Sequence, residues 1–325
     1  MPDRTDVCVL IPTLEEAATV GEVVSGFRNA GFEDVFVIDG GSDDDTRSIA
    51  DANGARVRTQ SGTGKGQAVR EALEYVEKPY VLMADGDGTY CPEDADVMLE
   101  PLFDGRAEHV IGDRFADMEP GAMTRLNRVG NRLINRLFGT VHGRYLRDIL
   151  SGYRAFTRDS FERFRLEADG FGIETELAAE CVRHGVDTEV VPIRYLARPE
   201  SSETNLRPLA DGGRIVLTLY ALAKTNNPIF YFGSVAAFGT LAGVSVAGFV
   251  AYRYFVVGIS HEVLALLAAF LVLLSVQLLM FGFLTDVLVS VNREQTRRLE
   301  GLDDRLEGLD DRLEGLDDRL DDLED

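Results

Sequence analysis

Two stretches late in this 325-residue chain carry no charged side chain: residues 229–252, and residues 263–284, whose only polar breaks are Ser275 and Gln277. Each exceeds the roughly 20 apolar residues that a helix needs to cross a hydrocarbon core. A pair of buried core helices is the competing reading, and runs this long count against it. Residues 228–291 therefore read as a two-helix transmembrane hairpin, with 211–227 as a membrane-proximal linker or interfacial helix. The link between the runs holds Arg253, His261 and Glu262, while Lys224 precedes the hairpin and Arg293, Arg297 and Arg298 follow it. By the positive-inside rule both flanks are cytoplasmic, so the domain in residues 1–210 is expected at the cytoplasmic face of the cell membrane. No signal peptide is expected, because the polar stretch from Pro2 to Asp6 runs directly into an apolar one.

That domain has its own rhythm. Apolar runs at 7–11, 35–38 and 81–84, with a further strand at 55–59, alternate with helical patterns at 19–30, around Ile49 and Ala50, and from 61 to about 75. Strands alternating with helices at this spacing predict an α/β fold with a parallel, doubly wound sheet. Right-handed crossovers then bring Thr13, Asp39 and Asp85 to one rim, where such sheets bind ligands. The run ending at Ala84 leads into Asp85-Gly86-Asp87. Two carboxylates on so tight a turn suit a hard divalent cation shared with a diphosphate. The plainer alternative is a polar turn before the helix start at Pro92-Glu93-Asp94. The glycine-rich loop at 61–66 is not a P-loop, since Gly66 stands where that motif needs Ser or Thr after Gly-Lys. Lys65 at a helix start still suits an anionic ligand.

Charge narrows the partners. A net charge of −22 and a pI near 4.6 argue against nonspecific binding to nucleic acid. Lysine occurs only at 65, 78 and 224, which fits a surface kept soluble in concentrated salt or, alternatively, an acidic protein from a GC-rich genome. Cys8, Cys91 and Cys181 fall in no metal spacing, and the four histidines form no zinc motif.

Taken together, Pro12-Thr-Leu-Glu-Glu16, Asp39-Gly-Gly-Ser-Asp-Asp-Asp-Thr46, Gly64-Lys-Gly66 and Asp85-Gly-Asp87 resemble the ordered signature of family 2 inverting glycosyltransferases with the GT-A fold. Asp148-Ile-Leu-Ser-Gly-Tyr-Arg154, Phe171-Gly-Ile-Glu-Thr-Glu-Leu177 and Glu189-Val-Val-Pro-Ile-Arg-Tyr195 resemble the dolichyl-phosphate sugar synthase branch, in particular archaeal hexosyltransferases of S-layer N-glycan assembly. The likeness runs over roughly residues 7–215. It implies that Pro12, Thr13, Glu15, Asp39, Gly40 and Lys65 hold the nucleotide-sugar, a UDP-sugar by the same resemblance. It implies that Asp85 and Asp87 bind Mg2+ or Mn2+. Arg114 and Arg198 become candidates to grip phosphates, because a guanidinium offers paired donors that never deprotonate; Arg198 is otherwise a surface arginine. Ser151, Tyr153, Arg154, Glu174 and Glu176 become candidates for positioning donor or acceptor, although Glu174 and Glu176 also fit an ordinary helix face. The acceptor implied is dolichyl phosphate, largely dianionic at pH 7, so no strong general base is required. Two departures set the chain apart from mannosyl synthases: Thr89 stands where they carry Gln, and Arg198 is followed by Pro-Glu-Ser-Ser-Glu-Thr-Asn205. Glucose from UDP-glucose is the donor this implies, with mannose from GDP-mannose second. From another class, a scaffold that binds sugar nucleotides without turnover fits the same motifs.

Two further segments carry patterns of their own. Residues 121–142 interleave Arg125, Arg128, Arg132 and Arg136 with Leu126, Val129, Leu133, Ile134, Leu137 and Phe138, which predicts a basic amphipathic helix. It suits a domain helix with a core face, a helix on the membrane surface where a lipid phosphate enters, or both. From Arg298 the heptad Arg-Leu-Glu-Gly-Leu-Asp-Asp recurs three times before a degenerate fourth copy. Its leucines follow the spacing of a coiled coil and could join copies of the chain, whereas its glycines and crowded carboxylates favour disorder.

Overall fold

The computed structural model describes residues 2–168, 170, 172–199, 213, 217, 220, 223, 224 and 227–291. The leucine repeat, the 200–205 segment and Phe171 lie outside the described residues. The chain divides into two compact units, Met1–Leu222 and Ala223–Asp325.

The first unit is built on a seven-stranded sheet. Its strands are β1 (Val7–Thr13), β2 (Asp34–Asp39), β3 (Arg56–Thr59), β4 (Tyr80–Met83), β5 (His109–Met118), β6 (Arg154–Thr157) and β7 (Thr188–Tyr195). The spatial order is β3-β2-β1-β4-β6-β5-β7. All pairings are parallel except those of β6, which runs antiparallel to β4 and β5. The expected parallel sheet is thus present with one reversed strand let into it.

Every residue of β1 is buried, as a strand covered on both faces requires. The period-two alternation sorts its side chains between two cores. Val7, Val9 and Ile11 join one cluster with α1 (Val20–Asn29) and α4 (Ala95–Phe103). Cys8 and Leu10 join the other with α3 (Lys65–Leu73) and α7 (Ile173–His184). Helix α1 buries Val20, Val23, Val24 and Phe27, one face at helical spacing. Full burial of Phe27 contributes about 2–3 kcal/mol through the area it withdraws from water.

This topology places the site. β1 lies between β2 and β4, so the connections leave it in opposite directions and open a crevice at the carboxyl ends. Thr13 pairs with Asp39 in register, and the Ala84 N–H donates to the Leu10 carbonyl at 3.0 Å. The three loops that begin at Thr13, Asp39 and Asp85 therefore share one rim. Pro12 and Thr13 belong to β1 itself rather than to the loop after it. On the far side of the rim, the β5–β7 register shifts between Asp113 and Asp117, which bends the strand where Arg114 sits.

Helix α5 (Arg125–His142) has two apolar rows, not one. Ile134, Phe138 and Val141 face the core, whereas Leu126, Val129 and Leu133 are each more than 60% exposed beside Arg125, Arg132 and Arg136. The remaining short helices are α2 (Thr46–Ala52) and α6 (Arg158–Glu162).

The second unit holds two long helices. α8 (Pro228–Tyr252) starts with the Asn227 side chain accepting from the Phe230 N–H and continues through a wider turn, Arg253–Val257. α9 spans Glu262–Val291, and the two helices are long and apolar enough to cross a membrane. Only 11% of each span's apolar stretch is buried, which counts against a soluble core pair. They meet through small residues: a Cβ on Gly239 would stand 2.5 Å from Ser275 Oγ, and one on Gly243 3.1 Å from the Ala268 carbonyl. Such close approach is how helices associate where hydrophobicity supplies no drive.

Candidate active site

Asp39 ends β2 with its side chain fully buried. Its Oδ1 accepts from the N–H groups of Gly41 (3.0 Å) and Ser42 (2.8 Å), and its Oδ2 from Ser42 Oγ (2.6 Å) and Thr13 Oγ1 (3.2 Å). These four donors satisfy a buried carboxylate that would otherwise lack hydrogen-bond partners. Gly40 donates its N–H to the Thr13 carbonyl at 2.8 Å, and Ser42 Oγ accepts the Glu15 N–H at 2.8 Å. Asp39 thus joins the loops after β1 and β2 into one wall. Glu15 has φ of 57°, a left-handed conformation uncommon outside glycine, and its side chain is exposed.

The turn after β4 forms the facing wall. A Cβ on Gly86 would lie 2.7 Å from Thr13 Cγ2, so only glycine lets this turn meet the end of β1. Thr19 Oγ1 donates to the Gly86 carbonyl at 2.7 Å. Asp87 Oδ1 accepts from the Thr89 N–H (3.1 Å) and hydroxyl (2.6 Å), while its Oδ2 is paired with the Arg198 guanidinium. Arg198 also lies 3.8 Å from Glu16. Asp85 Oδ1 is 2.5 Å from Lys65 Nζ, and that ammonium is 2.5 Å from Glu174 Oε1. Burial alone would push the Lys65 ammonium down. The Asp85 and Glu174 carboxylates outweigh burial and hold it above the ordinary lysine value, so it stays charged. Arg198 is raised in the same way, Asp87 and Glu16 overcoming burial.

At the rim, four carboxylates (Glu16, Asp85, Asp87, Glu174) face two cations (Lys65, Arg198), leaving a formal charge of −2. The donors nearest the crevice are carboxylate oxygens, hard ligands of the kind Mg2+ and Mn2+ prefer. No cluster of three or more His, Cys, Asp or Glu side chains that could cage an ion is present among the described residues. Two carboxylates and no cage fit an ion that completes its shell with substrate diphosphate and water. Asp85 and Asp87 would hold it.

Other expected site residues lie deeper in the fold. Arg114 is forked on Asp148, with Nε 2.7 Å from Oδ2 and Nη2 2.8 Å from Oδ1, so its paired donors are taken up inside the fold rather than offered to phosphate. Glu176 accepts the N–H groups of Glu167 (2.9 Å) and Ala168 (2.8 Å); it anchors a loop, with burial the first cause of its raised pKa. Arg154 is fully buried and donates to the carbonyls of Ser151 (3.0 Å), Ile149 (2.7 Å) and Glu174 (2.8 Å). Tyr153 stacks on Tyr90 at 5.1 Å and donates its hydroxyl to the Cys91 carbonyl. The Ser151 hydroxyl is buried with no partner among the described residues. Ser151, Tyr153 and Arg154 therefore lie fully buried beneath the rim.

Some contributors escaped the sequence reading. Gly152 lies against Asp85, where a Cβ would fall 2.6 Å from Oδ2, and its N–H donates to the Tyr90 hydroxyl at 2.9 Å. Glycine between Ser151 and Tyr153 was the available signal for close approach. Thr89 follows Asp87 at the spacing of a side chain that bonds the backbone two residues on. Asp148 stood in a quoted motif, but nothing local marked its partner Arg114, 34 residues away.

The domain is a doubly wound, mostly parallel sheet with acidic turns at its switch point. Residues 8–165 match the family described as Glycosyl transferase family 2. The chain is 58% identical over 304 residues to glycosyltransferase AglJ of Haloferax volcanii, covering 93% of this chain and all of that one. It is 34% identical to a dolichyl-phosphate hexose transferase of the same organism, over 65% of this chain and 90% of that one. This chain belongs to glycosyl transferase family 2. Among solved structures, glucosyl-3-phosphoglycerate synthase of Mycobacterium tuberculosis, determined with Mn2+, UDP-glucose and phosphoglyceric acid, superposes with a TM-score of 0.56. It is 24% identical, over 67% of this chain and 79% of that one, a likeness that establishes the fold.

Proposed function

We propose that the protein transfers a hexose, glucose from UDP-glucose, onto dolichyl phosphate with inversion at the sugar, as an early step of protein N-glycosylation. The observation that carries this reading is the set of Asp85, Asp87, Lys65 and Arg198 at the switch point of the sheet, two carboxylates and two cations converging where a sugar diphosphate would lie. The Haloferax dolichyl-phosphate hexose transferase supplies the acceptor class.

Each side chain then has a task. The wall built on Thr13, Glu15, Asp39 and Gly40 would seat base and ribose. A divalent ion at Asp85 and Asp87 would neutralise charge on the departing diphosphate. Lys65 and Arg198 add positive charge beside the same leaving group, fixed before reaction begins. The lipid phosphate attacks as an anion and needs no proton removed, which agrees with a rim whose four carboxylates (Glu16, Asp85, Asp87 and Glu174) each carry a cation partner. The exposed Leu126, Val129 and Leu133 among arginines suit α5 to an anionic lipid surface. In this scheme α8 and α9 anchor the enzyme, both chain ends are cytoplasmic, and the leucine repeat joins copies of the chain.

The test is a panel of labelled nucleotide sugars offered to the purified full-length protein with dolichyl phosphate and Mn2+ or Mg2+, with products read by thin-layer chromatography and mass spectrometry. Dolichyl phosphoglucose from UDP-glucose is expected. Turnover of GDP-mannose instead would replace the donor, and binding without turnover of any donor would make the protein a scaffold.

A further inference from the structure

Lys65 sits between two carboxylates that are not equivalent. Asp85 opens the turn after β4 with 27% of its side chain open to solvent, whereas Glu174 is 6% exposed. Glu174 lies in the first turn of α7, where the helix N-terminus favours negative charge, and its carbonyl is tied to Arg154 Nη2 at 2.8 Å. Lys65 itself is the first residue of α3, entered through Gly64 at φ of 93°. The ammonium therefore has one fixed, buried partner and one partner at the mouth of the crevice. Only the outer one is also suited to a metal ion.

We infer that Lys65 is a built-in competitor for divalent-ion binding at Asp85, and that Glu174 is the carboxylate that keeps the lysine when Asp85 is released to the ion. The inference deepens the proposed function and rests on its assignment of Asp85 and Asp87 as metal ligands. A dication presents a carboxylate with twice the charge of an ammonium, so displacement is favourable once a second ligand, Asp87, joins in. Without Glu174, losing Asp85 would leave a buried ammonium unpaired, and the exchange would be opposed. With Glu174, Lys65 stays charged at the rim and becomes an extra contact for an anionic diphosphate. Ion and donor then bind with positive coupling, each raising the affinity of the other by the same factor. Glu174 is in this account a positioning residue that acts on the ion only through Lys65.

The experiment measures Mn2+ binding alone, without donor, to the full chain in detergent, by loss of the free-ion electron paramagnetic resonance signal. Lys65→Met should tighten Mn2+ binding by about tenfold, because the competitor is gone. Glu174→Gln should weaken it by about tenfold, the lower end of what outer partners do to metal affinity. The double variant should bind like Lys65→Met, since Glu174 has nothing left to act through. UDP should raise Mn2+ affinity more in the wild type than in Lys65→Met. If Lys65→Met does not fold, Lys65→Gln gives the same comparison, and an Mn2+-dependent gain in melting temperature larger than the wild type's gives a second readout. Equal weakening by Glu174→Gln in both backgrounds would make Glu174 a direct ligand and overturn the inference. Unchanged or weaker Mn2+ binding in a folded Lys65 variant would overturn it as well. Asp87→Asn separates the two levels. If it leaves Mn2+ binding intact, the metal assignment fails and the inference with it. If it abolishes binding while Lys65→Met changes nothing, only the inference fails.

Discussion

The cations of this domain divide into two groups that the sequence does not distinguish. Lys65 and Arg198 stand at the rim, their side chains 14% and 26% exposed, each between two carboxylates. Arg114 and Arg154 stand beneath it; the first is closed on Asp148 and the second is fully buried among carbonyls. Lys65 and Arg154, one from each group, lie in the motifs quoted above. Rim cations hold partners that a ligand can replace, whereas the deeper ones hold backbone and carboxylate groups that would be stranded if released. Membership of a motif therefore marks the neighbourhood of the site, and the partners decide whether a residue binds or supports.

The sharpest way to break this division is to remove one member of each group. Asp87→Ala should reduce turnover by more than about a hundredfold, beyond the usual effect of outer partners on a metal site, and leave the domain folded. Its partner Arg198 is partly exposed and can be solvated where it stands. Asp85→Ala should lose most activity too. Initial rates with saturating Mn2+, alongside circular dichroism, would check both, and full activity of either variant in excess chelator would sink the metal assignment.

Arg154→Met should do the opposite. It strands the carbonyls of Ser151, Ile149 and Glu174, each worth about 1–3 kcal/mol when buried without a partner, so a loss of at least 3 kcal/mol is expected. Lysine at this position would not rescue it, because an ammonium cannot reproduce the fork. Chemical denaturation of the full chain measures the loss. A stable but inactive Arg154→Met enzyme would move this arginine into the group that touches ligand.

The sequence made the scaffold of the site legible because the scaffold is local. Apolar runs that end in Thr13, Asp39 and Asp85 predict parallel strands, and parallel strands in this order share a rim. The two long apolar helices were legible for the same reason, as composition over one continuous stretch. The pairing of Arg114 with Asp148 was not, since it depends on the reversed strand β6 between β4 and β5. Glu174 and Glu176 offered a signal that went unused. Residues two apart on a helix point roughly 200° apart, so the two could not both face one crevice. For α5 the periodicity showed an apolar face but not that Leu126, Val129 and Leu133 form a second row turned outward.

The smallest expected effect tests the deeper group from its other end. His109 opens β5, fully buried, with its ring stacked on Phe156 at 5.5 Å and Nε2 3.1 Å from Arg154 Nη1. Burial first, and then the Arg154 charge, hold its pKa well below the ordinary 6.5. The folded domain therefore refuses a proton that the unfolded chain accepts below about pH 6.5. His109 leaves stability intact above that pH and erodes it as pH falls towards the depressed folded pKa, by no more than one proton, about 1.4 kcal/mol per pH unit. His109→Gln keeps an acceptor for Arg154 and removes the titration. Melting temperatures between pH 7.5 and 5.5 should then fall less steeply for the variant than for the wild type, while activity at pH 7.5 stays within about twofold, as expected of a group remote from the reacting atoms. Parallel profiles would mean that His109 accepts its proton inside the fold. Arg154 could not then be the buried, permanently charged support described here, and the boundary between binding and supporting cations would have to be drawn elsewhere.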